Sequence, residues 1–350
     1  MSEMSSPMSW PEVLSSLLRG ENLPAAATAW AMGQILSGDA TPAKMAAFVI
    51  GLRSKGETVE ELSGLADTMI EFATPIEIGG PAVDVVGSGG DRSNTVNIST
   101  MAAIVAAAAG ARVIKHGNRA ASSACGAADV LEALGVVLDL APEAQQQVVD
   151  QVGIGFLFAA HYHPALRHAG PMRRELGIPT TFNFLGPLAN PAQPISQAVG
   201  VADPRMAELM AGVFAARGNY GLVVHGGDGL DELTTTTTST VWVYADGEVE
   251  RTELDPLQLG VPRAKLADLV GGDAAKNAQV VRYMVSGQPG PIRDIVLLNA
   301  AAALVAYGKP AAGRLGEDFA QELGRARQAI ESGAAQTKLQ EWVEATQSVC

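Results

Sequence analysis

Over the first 75 residues the apolar positions recur three or four apart, and the whole stretch reads as helix. Residues 11–18 form one predicted helix, stopped by Gly20, and residues 24–36 form the next, closed by Gly38-Asp39. Thr41 before Pro42 sets a capping hydroxyl ahead of a proline at the first helical position, and predicts a helix to about Arg53. Thr58 and Glu61 have the spacing of a capping box, which opens a helix to about Phe72. Ala73-Thr74-Pro75 ends it, so a small helical domain is expected over residues 1–76.

From Ala82 the rhythm changes. Short apolar or β-branched runs at 82–86, 112–115, 154–158, 197–201 and 220–224 alternate with helical patterns at 100–109, 123–134, 142–152, 164–176 and 203–217. That alternation predicts a parallel sheet covered on both faces. Residues 234–249 read instead as extended strands about an Asp246-Gly247 turn, the threonine run at 234–238 included. From about Arg263 the chain is helical again. The expected fold class is α/β, a small N-terminal helical domain plus a larger α/β domain over 77–350 with a mainly parallel central sheet. A cleft between the two is the natural place for a ligand.

Composition supports this picture. Of 350 residues, 47% are apolar and only 5% aromatic, which suits alanine-rich helices packed closely on a sheet. The net charge of −13 argues against nucleic-acid binding, which needs a basic surface. A small anionic substrate stays open, because a local cluster of N–H groups, cations or metal outweighs the global charge. The two cysteines, Cys125 and Cys350, make no disulfide framework and point to a reducing compartment. No basic segment followed by an apolar one opens the chain, and the most apolar run, 101–110, is shorter than the roughly 20 residues that span a bilayer. A cytoplasmic protein without membrane contact is expected.

Three stretches carry candidate chemistry, each just after a predicted strand. Asp84 leads into Gly87-Ser88-Gly89-Gly90-Asp91, then Thr95 and Asn97-Ile98-Ser99-Thr100, where a helix starts. Glycines let a backbone approach a ligand and aim successive N–H groups at it, and the helix start favours phosphate. Arg92 stands where a dinucleotide fingerprint would have its third glycine, and no Walker lysine follows. The second stretch is Lys115-His116-Gly117-Asn118-Arg119-Ala120-Ala121-Ser122-Ser123. It suits a polyanion, and by itself equally suits a solvated loop with a capping serine. The third is His225 to Glu232, in which the adjacent carboxylates Asp231 and Glu232 suit Mg²⁺; in isolation the run would be read as solvated loop acids. On the predicted helix after His163, Arg173 could face the cleft and clamp a carboxylate, while Arg174 reads as solvated. His161, His163 and His168 match no zinc spacing.

In this order the segments resemble anthranilate phosphoribosyltransferases. The family's Gly-Thr-Gly-Gly-Asp…Asn-Ile-Ser-Thr signature is present with Ser88 in place of threonine, Lys-His-Gly-Asn-Arg is Lys115 to Arg119, and Asp-Gly-Leu-Asp-Glu is Asp228 to Glu232. Further agreement lies at 129–135, Phe182-Asn183, 185–188, Arg293-Asp294 and 297–302. The resemblance implies a phosphorylase/phosphoribosyltransferase-like fold in which 163–190 packs on the helical domain. It implies that Gly87, Gly90, Asp91, Thr95, Asn97, Ile98, Ser99, Thr100, Lys115 to Ser123 and Ala127 contact phosphoribosyl diphosphate. Anthranilate would be held by Gly87, Asn118 and Arg173, and two Mg²⁺ ions by Ser99 and by Asp231 with Glu232. A homodimer is implied as well. The chain departs from the pattern at Ala124-Cys125-Gly126-Ala127, where the family commonly has Lys-Ser-Gly-Ser, so a positive charge and a hydroxyl are missing there.

The implied reaction passes the 5-phosphoribosyl group to an aromatic amine that needs no prior deprotonation, so positioning and electrostatics carry it and no general base is assigned. A nucleoside phosphorylase of similar build would need no acidic metal ligands, which Asp231-Glu232 counts against. A nucleic-acid-binding relative is opposed by the −13 charge and the intact 115–119 run.

Overall fold

The computed structural model describes residues 8–120 and 124–350. Four helices come first: α1 (Trp10–Leu18), α2 (Ala25–Leu36), α3 (Pro42–Lys55) and α4 (Val59–Glu71). The Thr41 hydroxyl accepts the Lys44 N–H at the start of α3. The Thr58–Glu61 capping box is formed in both directions, and the Glu61 carboxylate also takes the Lys55 ammonium at 2.9 Å.

The sheet then builds from β1 (Val83–Gly87), β2 (Val113–Gly117), β3 (Ile154–Phe158), β4 (Ser196–Gly200), β5 (Tyr220–Gly226), β6 (Ser239–Ala245) and β7 (Glu248–Leu254). Their order is β3-β2-β1-β4-β5-β6-β7; the first five run parallel and the last two are antiparallel. Between and after the strands lie α5 (Ile98–Ala108), α6 (Ala127–Leu134), α7 (Pro142–Val152), α8 (Ala159–Tyr162), α9 (Gly170–Leu176), α10 (Pro204–Ala216), α11 (Ala274–Val285), α12 (Pro291–Tyr307), α13 (Leu315–Glu331) and α14 (Ala334–Ser348). Successive strand residues alternate between two cores. Val83, Val85 and Val224 join α5, α12, α13 and α14 on one face, while Val86, Val199 and Val223 join α10 and the N-terminal helices on the other. Ala102, Ala103 and Ala106 of α5 and Ala300 to Ala303 of α12 are almost wholly buried, so small side chains let these two helices press together against the sheet.

Three local expectations need correction. The threonine run is no strand: the Asp228 carboxylate accepts the hydroxyls of Thr234 at 2.7 Å and Thr236 at 2.6 Å, which coils the chain and delays β6 to Ser239. The Asp246-Gly247 turn does join β6 to β7, with φ of 52° and 83°, as a tight hairpin requires. The 164–176 helix is two pieces, a 3₁₀ stretch Pro164–His168 and α9, because Pro171 has no N–H to continue the ladder. The helix expected from residue 123 starts at Ala127, where Asp129 takes the Gly126 N–H at 2.8 Å.

Residues 164–189 lie against α2, α3 and α4, and one buried cluster joins these helices to α10 and the sheet. Glu57, in the α3–α4 turn, binds this junction together. Its carboxylate accepts the Thr181 hydroxyl at 2.7 Å and pairs with Arg205 at the start of α10, while Arg53 reaches Asp203 at 2.6 Å.

Candidate active site

β1 leads one way along the sheet to β2, and β4 leads the other way to β5, so a crevice opens between the carboxyl ends of β1 and β4. Gly87 and Gly200 pair across it. Both must be glycine. A Cβ on Gly200 would fall 1.6 Å from the Asp231 carbonyl oxygen, and one on Gly87 would fall 2.3 Å from the Asp231 carboxylate. The two bare strand ends thus admit the Asp231-Glu232 loop, and the Asp231 carboxylate accepts the Gly89 N–H at 2.6 Å.

The crevice continues into a cleft of about 410 Å³. Every described residue assigned to a ligand from the sequence lines it: Gly87, Gly90, Asp91, Thr95, Asn97 to Thr100, Lys115 to Ala120, Ala127, Arg173, Asp231 and Glu232. Ala121, Ser122 and Ser123 lie outside the described residues. Asp228 does not line the cleft, because its carboxylate is used by the two threonines.

Lys115 and Arg119 do not act as a pair of open cations. Lys115 is 1% exposed; its ammonium donates to the Val85 carbonyl and to Ser99 Oγ at 3.1 Å. Burial lowers its pKa, against the pull of Asp84, Glu232 and Asp231. Arg119 turns outward to Asp129 at 3.0 Å and Glu132 at 2.5 Å, with its charge over the Phe158 ring. What the cleft gathers instead is negative charge. Burial pushes Asp231 up to about 7, with Asp91 adding repulsion. Glu232 is pushed well up by burial and by Asp231, against the pull of Lys115. Among the described residues no group of three or more His, Cys, Asp or Glu is arranged to enclose an ion.

Beneath the site, buried Asp84 accepts the His116 N–H at 3.1 Å and the Asn190 amide at 2.9 Å, and burial raises its pKa to about 6. The His116 ring lies 3.0 Å from the Gly186 carbonyl through Nδ1, so Nδ1 carries the proton there and Nε2 is left as an acceptor with no hydrogen-bond partner among the described residues. Burial, with His163 nearby, lowers its pKa to about 3 and keeps the ring neutral.

The opposite wall carries Arg173 on α9. Its guanidinium lies 5.8 Å from the Phe182 ring and has no carboxylate or carbonyl partner among the described residues; burial lowers its pKa. Phe182, Asn183, Pro187, His163 and Met69 complete this wall. None of these was assigned to a ligand from the sequence, although Phe182-Asn183 stood out in the pattern, and Met69 reaches the site only by way of the folded α4.

Family models match the chain over residues 11–73, as the helical bundle domain of a glycosyl transferase family, and over 79–336, as the a/b domain of the same family. An anthranilate phosphoribosyltransferase of Nocardioides sp. is 58% identical over 96% of this chain and 98% of that relative. One from Thermobifida fusca is 56% identical over 97% of each. The crystal structure of anthranilate phosphoribosyltransferase from Thermus thermophilus superposes with a TM-score of 0.89 at 38% identity, covering 96% of this chain and 99% of that one. The Saccharomyces cerevisiae enzyme in complex with PRPP and Mg gives 0.87 at 26% identity, covering 98% and 99%. On sequence, fold and the order of its site segments together, the chain belongs to the anthranilate phosphoribosyltransferase family.

Proposed function

We propose that the chain transfers the 5-phosphoribosyl group from phosphoribosyl diphosphate to the amine of anthranilate, giving N-(5-phosphoribosyl)anthranilate and diphosphate in tryptophan biosynthesis. One observation carries this reading. The same cleft holds buried, mutually repelling acids on one wall and, on the other, an arginine with no anionic partner among the described residues. The first arrangement calls for a hard cation, and the second for a carboxylate.

The acids fit Mg²⁺. Their carboxylates are held at raised pKa by burial and by one another, a cost that a divalent ion reverses, and Ser99 adds a hydroxyl oxygen from Lys115's side of the site. Two ions, at Ser99 and at Asp231-Glu232, are part of the proposal, with the remaining ligands supplied by substrate oxygens. When bound, Mg²⁺ neutralises charge on the departing diphosphate. The residues themselves orient and exclude. The 87–100 turn and the 115–123 loop take the diphosphate and ribose on backbone N–H groups and hydroxyls. Asn118, Gly87 and Arg173 hold anthranilate with its amine toward the ribosyl carbon. Neutral His116 contributes an acceptor, and no residue is needed to remove a proton from so weakly basic an amine before attack.

The same reading makes the protein a cytoplasmic homodimer. Leu18, at the end of α1, is 88% exposed and would be covered by a partner's helices. Among the described residues no helix is long and apolar enough to cross a membrane. A fluorescence assay of phosphoribosylanthranilate formation tests the activity. Turnover should require phosphoribosyl diphosphate and Mg²⁺ together. Cleavage of a nucleoside by inorganic phosphate without Mg²⁺ would replace this reading with a phosphorylase.

A further inference from the structure

Helix α11 contributes nothing to the wall of the cleft, yet its Asn277 reaches the back of the glycine turn. Asn277 is 2% exposed. Its Oδ1 accepts the Gly272 N–H at 2.8 Å, and its Nδ2 donates to Asn97 Oδ1 at 2.9 Å. Asn97 Nδ2 then donates to the Cys125 carbonyl at 3.0 Å. An amide can in general be turned end for end, but this pair cannot. The relay begins on a backbone N–H and ends on a backbone carbonyl, so each amide has one orientation that satisfies both neighbours. Asn97 sits at the cap position of α5 without making a side-chain cap bond, because its amide is used in the relay.

We infer that Asn277 is a positioning residue: its amide fixes the direction of a relay that clips the glycine turn, at Asn97, to the segment that follows the second loop, at Cys125 on the cleft wall, and so sets the spacing of two segments that must grip one diphosphate. This rests on the function proposed above. The backbone around the relay is equally tied. Thr95 bridges Val270, Val96 N–H donates to Leu269 at 2.9 Å, and Gly271 N–H donates to Asn94 at 2.9 Å. There is no slack: a Cβ on Gly271 would meet Asn277 Oδ1 at 2.7 Å. Asp273 caps α11 by accepting the Lys276 N–H at 2.8 Å, which fixes the height of Asn277 on the helix. The clip holds the loop at Cys125, within the four residues where this chain departs from its family's pattern and lacks the usual lysine and serine. A geometric restraint from behind is therefore the more important there.

Asn277→Asp keeps the shape and the acceptor for Gly272 but sets a second acceptor against Asn97 Oδ1. Assayed at about pH 8, the variant should raise KM for phosphoribosyl diphosphate about tenfold, one hydrogen bond's worth, with KM for anthranilate unchanged. Gly271→Ala, which displaces the same amide without altering its chemistry, should raise the same constant alone. An unchanged diphosphate KM in both variants overturns the inference. So does a parallel rise in both Michaelis constants with a lowered melting temperature, which marks a merely structural role. A wild-type protein without turnover on phosphoribosyl diphosphate would instead sink the proposed function, and the two failures are distinct.

Discussion

Arg173 is partly buried, over an aromatic ring, with no anionic partner among the described residues. A partly buried cation without an anionic partner is unfavourable, and in the proposed function the carboxylate of anthranilate would supply one. Removing it with Arg173→Ala should raise KM for anthranilate about 10- to 100-fold, as loss of a charge-assisted contact does, and leave KM for the diphosphate substrate nearly unchanged. Arg173→Lys should recover little, because an ammonium cannot make the two-pronged contact. Equal changes in both constants would show that Arg173 serves the fold and not anthranilate. On the facing wall, Asp231→Ala with Glu232→Ala should move the Mg²⁺ dependence of the rate to higher concentration; an unmoved metal titration contradicts their role as ligands. At this scale the sequence is informative where chemistry is contiguous. Gly87 to Thr100 can be read directly because the glycines, the acid and the hydroxyls follow one another. Phe182 and Asn277 could not be placed, because the contacts that give them meaning are made after folding; Asn277 meets Asn97 across 180 positions.

The elements were legible for a related reason. A strand buried on both faces is a short apolar run, and all five parallel strands were visible as such. The errors fall where a local bond overrides propensity. Asp228 draws Thr234 and Thr236 out of β geometry, and Pro171 divides a pattern that is helical throughout. Gly200 was invisible by the same logic, since it lies within a predicted strand and only the register beside Gly87 and the loop over it give it a role. Because a methyl there would overlap the Asp231 carbonyl, Gly200→Ala must move either β4 or the acidic loop. The expected cost is about 1–3 kcal/mol of stability from overpacking, together with weakened Mg²⁺ dependence of the reaction. Urea unfolding and a metal titration on one preparation would check both; full stability with unaltered metal response would mean that the loop is not held against the strand ends.

At the scale of the whole molecule, two buried groups under the cleft couple folding to pH in opposite directions. His116 stays neutral in the fold down to about pH 3, whereas an unperturbed imidazole takes a proton near 6.5. The unfolded chain therefore binds that proton first. The stability from His116 is complete above 6.5 and is lost as pH falls through the interval to about 3. Asp84 behaves conversely. Its folded pKa of about 6 lies above the ordinary 3.8, so its contribution is present below 3.8 and is lost as pH rises through 6. Between about 4 and 6 each group contributes a slope of close to one proton, of opposite sign, and the two nearly cancel; His116 titrates largely unopposed above about 6 and below about 4, and there the pair makes the protein less stable toward acid. His116→Gln keeps a donor for the Gly186 carbonyl and removes the titration. It should reverse the acid limb of a plot of urea midpoint against pH, which then rises as pH falls from about 6 to 4 under Asp84 alone. Asp84→Asn removes the opposing group and should steepen that limb. If both variants kept the wild-type slope, acid sensitivity would lie elsewhere in the chain, and the neutral state of His116, on which the acceptor role proposed for it depends, would lose its support.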